Sequence, residues 1–207
     1  MHARLTRITQ APERLEETIS SFQETVVAPV QQQPGYAGVG LAVNRQDGSA
    51  IAFTLWETEE AMHSSERLAQ SLRTQVASEQ GAEIVEVERY EVAHVEGTFK
   101  AGSFSRVTSG RTAPERIAEL VGAVQEQALP LLRSQNGFLR ASIYVDRRSG
   151  SFVLVSGWET AQDREASGAA IAELREQLTQ ALDASPLRVE PYELVSAHVT
   201  AGTGVRT

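Results

Sequence analysis

The 207-residue chain has no cysteine, which excludes disulfides, thiolate chemistry and cysteine-ligated metals. Lysine is nearly missing as well: Lys100 stands alone, and arginine carries almost all of the positive charge. With a net charge of -8 and no basic cluster to collect phosphates, no nucleic-acid partner is expected. No apolar run is long enough to span a bilayer and no charged-then-apolar leader opens the chain, so the expected setting is cytoplasmic, without a membrane partner. Histidines with metal-ligand spacing, acidic calcium loops and glycine-rich phosphate loops are all lacking. The expectation is therefore no metal and no cofactor.

What the chain has is a duplication. Ala11-Pro12-Glu13-Arg14 returns as Ala113-Pro114-Glu115-Arg116, and Trp56-Glu57-Thr58 returns as Trp158-Glu159-Thr160. The same offset of 102 relates Gly35 to Gly137, Leu72-Arg73 to Leu174-Arg175 and Tyr90-Glu91 to Tyr192-Glu193. Matches spread at one offset over a whole half mark an internal repeat. The division expected is one repeat over residues 1–95, a linker at 96–103, a second repeat over 104–200 and a loose tail at 201–207.

One unit reads β-α-β-β-α-β. A short strand over 3–9 gives way to a helix opened by Pro12, whose stripe is Leu15, Ile19, Phe22, Val26 and Val30. Gln33-Pro34-Gly35 stops that helix. Val39, Leu41 and Val43 then alternate with Gly38, Gly40 and Ala42 along a strand. Asp47-Gly48 signals a hairpin to the strand over 51–56, and Thr58 can cap a second helix carrying Leu68, Leu72 and Val76. A long strand over 84–95 closes the unit. The fold class expected is α+β, ferredoxin-like, present twice. The third strands, at 51–56 and 153–158, are apolar on both alternating faces, so helices can cover only one of them. The sister sheet is the natural cover for the other, which predicts an intramolecular dimeric α/β barrel, a self-contained pseudo-dimer. Further homo-oligomerisation stays open.

These residues resemble the antibiotic biosynthesis monooxygenase domains of the dimeric α+β barrel superfamily. The resemblance rests on Pro34-Gly35-Tyr36, on Trp56-Glu57-Thr58-Glu59-Glu60 with His63 beyond it, and on Tyr90-Glu91-Val92. In the second half it rests on Asn136-Gly137-Phe138, Trp158-Glu159-Thr160 and Tyr192-Glu193-Leu194. The resemblance implies a small pocket in each unit, between the sheet and its own helices. It further implies a cofactor-independent monooxygenase acting on an aromatic or quinol-type small molecule, whose deprotonated, electron-rich form reduces dioxygen itself. The alternative is a non-catalytic binding or interaction protein of the same superfamily. Haem-degrading relatives use an asparagine on the first strand and a histidine ten residues past the tryptophan. Here those positions are Ala3 or Ser105 and Glu66 or Gly168, so haem degradation is not expected.

Several side chains are candidates. Trp56 and Trp158, the only tryptophans, are either pocket walls that stack on a flat ligand or core residues at the strand–helix junction; their repetition favours the core. His63 could move a proton, although its place on the helical wheel is toward the polar side. Arg4 and Arg106 could bind a ligand oxygen, but an ion pair with Glu57, Glu88, Glu159 or Glu190 is the more ordinary role. The second strands differ: Gly38, Gly40 and Ala42 in one half face Arg140, Ser142 and Tyr144 in the other. Either the small residues leave a roomier substrate cavity in the first half, or Arg140, Tyr144 and Ser142 orient a substrate in the second.

Overall fold

The computed structural model describes residues 1–185 and 187–200. β1 (His2–Thr9) runs into a helical stretch made of a 3-10 turn at Pro12–Arg14, α1 (Leu15–Ser21), a π-helical turn at Phe22–Val26 and α2 (Val27–Gln31). β2 (Tyr36–Val43) and β3 (Ala50–Trp56) form the hairpin, followed by α3 (Glu59–Ser64), α4 (Glu66–Gln80) and β4 (Glu83–Gly97). The second unit repeats the order as β5 (Ser103–Arg111), α5 (Ile117–Ala123), a π-helical turn at Val124–Ala128 and α6 (Leu129–Arg133). It continues with β6 (Phe138–Asp146), β7 (Ser151–Trp158), α7 (Ala161–Ala181) and β8 (Arg188–Val199).

Local chemistry explains most boundaries. The Thr58 and Thr160 hydroxyls accept the backbone N–H of Ala61 and Asp163, satisfying donors a helix start leaves free. Gly48 holds φ at +76° in the hairpin, where a Cβ would lie 2.0 Å from the Gln10 carbonyl oxygen, so glycine is required twice over. The π-helical turns precede Pro29 and Pro130. Each proline lacks the N–H that would reach the carbonyl four residues back and its ring crowds that carbonyl, so the turn before it widens. The linker is shorter than expected, because Glu96 and Gly97 still pair in β4 and Ser103 already pairs in β5. The expected tail at 201–207 lies outside the described residues.

All eight strands close into one barrel in the order β1-β3-β2-β8-β5-β7-β6-β4. The seams between repeats are antiparallel: β2 pairs with β8 from Gly38↔Val199 to Val43↔Glu193, and β4 with β6 from Glu91↔Val145 to Gly97↔Arg140. Each unit therefore lends its last strand to the other's sheet, and no sheet edge is left open. Three cores result. One fills the barrel with Leu5, Phe53, Leu55, Tyr90, Tyr144, Val153, Tyr192 and Leu194. The other two lie outside it, each under the helices of its own unit. This is the double coverage that the two-faced third strands called for.

One cation ties the halves together across the barrel. Arg7 is buried and lies 2.9 Å from Glu88 Oε2 and 3.0 Å from Glu190 Oε2, one carboxylate from each repeat. Glu88 also accepts the Tyr90 hydroxyl at 2.7 Å. Burial works against the Arg7 charge, but Glu88 and Glu190 outweigh it and raise its pKa.

Candidate functional site

Each unit has a cavity between its sheet and its helices. The second is about 100 Å³ and the first about 70 Å³. Their walls correspond residue by residue at the repeat offset: Arg4 with Arg106, Thr6 with Thr108, Leu72 with Leu174 and Arg73 with Arg175. The π-helical turns supply Phe22 and Val26 to one wall and Val124 and Ala128 to the other. A widened turn shifts the side chains that follow it, and such turns frequently mark functional positions.

The polar element of each cavity is an arginine from the first strand of the unit. The Arg4 guanidinium carbon lies 5.9 Å from the Trp56 ring centroid, and Arg106 repeats this over Trp158 at 5.9 Å. Arg4 Nη1 donates to Ser65 Oγ at 3.1 Å and Arg106 Nη1 to Ser167 Oγ at 3.0 Å. Arg4 Nη2 also donates to the Met62 carbonyl and Arg106 Nη2 to the Arg164 carbonyl. The tryptophans are held in turn: indole N–H donates to Thr54 Oγ1 at 2.9 Å in one half and to Ser156 Oγ at 3.1 Å in the other. Burial lowers both guanidinium pKa values to about 10, which leaves them charged at neutral pH.

The halves differ in counter-charge. Glu66 lies 3.0 Å from Arg4, pairs with Arg73, and lies 2.8 Å from Arg89. Burial pushes the Glu66 carboxyl up, but hydrogen bonds from Arg73 and Arg89 and the charge of Arg4 hold it at about 2. The folded-state value is depressed, so its contribution is complete above the unfolded carboxylate range and is lost as pH falls toward 2. With the side chain 31 % exposed, that contribution is discounted for solvent screening to about 1–2 kcal/mol. Urea denaturation of wild type and Glu66→Gln from pH 7 to pH 2.5 should show the two curves converging on acidification. Parallel curves would mean that the carboxylate adds nothing.

Comparison with known proteins agrees with this architecture. The pattern of the family described as antibiotic biosynthesis monooxygenase matches residues 1–77 and again 103–170. The chain belongs to that family. It is 30 % identical over 206 residues to the uncharacterised protein Rv2557 of Mycobacterium tuberculosis, covering 96 % of this chain and 89 % of the relative. Among solved structures, a candidate monooxygenase of Fusobacterium nucleatum superposes with a TM-score of 0.73 at 10 % identity, over 97 % of this chain and 95 % of that one. An anthrone oxidase-like protein gives 0.68 at 18 % identity, over 98 % and 94 %. At such identities the structural likeness shows the fold alone. Among the described residues no helix is long and apolar enough to cross a membrane, and no cluster of metal-ligating side chains occurs.

Trp56 and Trp158 are 1 % and 0 % exposed and back the arginines from the core; neither lines a cavity wall. His63 is exposed on α3, away from both cavities. Arg140 and Tyr144 point into the barrel interior, with Arg140 donating to Ser105 Oγ at 2.9 Å and its guanidinium carbon 4.4 Å from the Phe99 ring centroid. Burial lowers the Arg140 pKa and raises that of Tyr144. Ser142 is buried and contributes to the floor of the second cavity.

The small residues of β2 do not leave the roomier cavity expected of them. A Cβ at Gly40 would lie 2.4 Å from the Phe53 ring, and one at Gly38 3.2 Å from Leu55, so their neighbours have already taken the space. The expected ion pairs are also reassigned: Glu88 and Glu190 belong to Arg7, Arg4 takes Glu66, and Arg106 pairs with no carboxylate among the described residues. Arg175, which completes the second cavity, was visible only as one member of a repeated Leu-Arg pair.

Proposed function

We propose that this protein is a small-molecule monooxygenase of its family, working without a bound cofactor on an aromatic or quinol-type substrate in the helix-side cavity of the second unit. The observation that carries this reading is the cavity itself, an apolar chamber with the Arg106 guanidinium on its wall, braced from behind by Trp158. An ionised ring oxygen is the group such a cation stabilises, and the low-dielectric surroundings strengthen the interaction. The anion then gives one electron to dioxygen. The substrate radical and superoxide combine at a ring carbon that carries hydrogen, the resulting peroxide takes back a proton from water, and loss of water from that hydroperoxide leaves a carbonyl. One oxygen atom ends in product and one in water, with all four electrons supplied by the substrate.

Size and chemistry narrow the substrate. An engineered apolar void of about 150 Å³ accepts benzene, so a cavity of about 100 Å³ matches a body no larger than one ring in this conformation. No histidine or carboxylate is among the described residues on its wall. The substrate must therefore reach the site already ionised, or lose its proton to water on entry. That same feature favours the second reading, a protein that binds such a molecule without converting it.

Oxygen uptake against a panel of single-ring dihydroquinones separates the two. Turnover without added metal or flavin, reduced about 100-fold in Arg106→Gln, is the result expected of an oxygenase whose cation stabilises the reacting anion. Uptake no faster than the uncatalysed background across the panel would leave only the binding reading.

A further inference from the structure

The two helix-side cavities are copies of one site that differ where their charge is decided. In the first unit Glu66 sits among Arg4, Arg73 and Arg89. In the second, the corresponding positions are Gly168 for Glu66, Arg106 for Arg4, Arg175 for Arg73 and Pro191 for Arg89. Two of the cations have been kept and the anion has been removed. Among the described residues neither Arg106 nor Arg175 forms an ion pair, and both line the cavity. Arg164 adds a third positive charge nearby, itself 3.4 Å from the exposed Glu165.

We propose that the second cavity binds a small apolar molecule bearing a planar oxyanion, a carboxylate or an ionised phenol. Arg106 and Arg175 hold the oxygens, and the protein's own Glu66 occupies the equivalent place in the first unit. One ligand therefore binds per chain. The inference rests on reading the cavity as the ligand site, and it assigns both the half that works and the charge of what enters.

Three features support it. Two guanidinium groups facing one half-buried, apolar space repel each other unless an anion lies between them, and the first unit shows a carboxylate doing that in the same frame. The ligand's body has a place as well, because Leu120, Val124, Leu129 and Leu174 line the same cavity as the two arginines. Finally, Gly168 lies inside α7, where glycine weakens a helix relative to almost any other residue. A Cβ there would come 3.0 Å from Arg106 Nη2. Glycine at this position leaves the guanidinium uncovered, and glutamate would cover it as Glu66 covers Arg4.

The test is calorimetric titration of the full chain with benzoate, 4-nitrophenolate and the neutral benzamide, for wild type, Gly168→Glu and Arg175→Gln. Expected is one site per chain, with at least one of the two anions bound at least 10-fold tighter than benzamide; whichever does so identifies the oxyanion. Gly168→Glu should weaken that binding at least 10-fold while raising the melting temperature, since it restores a helix-forming residue and neutralises a buried cluster. A gain in stability coupled to a loss of affinity cannot come from misfolding. Arg175→Gln should weaken the anion and leave benzamide unchanged. Equal binding of anions and benzamide, no binding of any probe, or an undiminished affinity in Gly168→Glu would overturn the proposal. Anion-selective binding without oxygen uptake would retain this inference and reject the oxygenase. Uptake in a protein indifferent to the anions would do the reverse.

Discussion

Replacing Arg7 by methionine is expected to destabilise the whole barrel by about 3–5 kcal/mol, the usual cost of removing one partner from a buried ion pair. Arg7 comes from β1 of the first repeat, and its side chain is 7 % exposed between Glu88 of β4 and Glu190 of β8. Its equivalent in the second repeat is Ser109, so this cation exists once and serves both halves. Without it, two carboxylates face each other with no positive charge between them, and Tyr90 and Tyr192 remain attached to the pair. Urea denaturation at neutral pH measures the loss. The triple variant Arg7→Met, Glu88→Gln, Glu190→Gln should recover most of it, because the penalty lies in the stranded charges more than in the lost pairs. If Arg7→Met alone unfolds at the wild-type midpoint, the repeats are held together by strand pairing and apolar contacts, and the central cation is incidental.

Trp158→Ala should cost a similar amount, about 3–5 kcal/mol, as a large side chain removed from a packed core leaves a void the neighbours only partly close. The indole is fully buried, meets Phe138 edge-on at 5.6 Å, donates to Ser156 and underlies Arg106. Trp158→Phe keeps most of the volume and forfeits the N–H donor and the larger ring face, a loss of about 1–2 kcal/mol. Trp56→Ala is the internal control, since Trp56 is equally buried and lies under Arg4, the counterpart of Arg106. A stability change in Trp158→Ala below about 1 kcal/mol would show that this core repacks, contrary to the close packing expected of protein interiors. The tryptophans then would not be what fixes the position of the arginines.

The sequence by itself determined the repeat, the order of elements, the hairpin glycine, the helix caps and the closed two-fold barrel. Each follows from short-range chemistry or from a pattern: a proline that opens a helix, Thr58 that caps one, an apolar third strand that needs cover on both faces. It also brought out the paired arginines and the change from Glu66 to Gly168, because a duplicated chain carries its own comparison. Only the tertiary structure decided where those side chains meet. Strand alternation says that Gly38 and Gly40 share a face, but whether that face holds a void depends on Phe53 arriving from the neighbouring strand. Arg140 and Tyr144 share a face too, and barrel closure turns it inward, away from the helix-side cavity. The partner of Arg4 is 62 residues away on a helix, and those of Arg7 are 81 and 183 residues away on two different strands. Periodicity reports which face a residue occupies. Which charges come within a few ångströms of each other is set by how whole elements pack, and the chemistry of this site depends on that second kind of information.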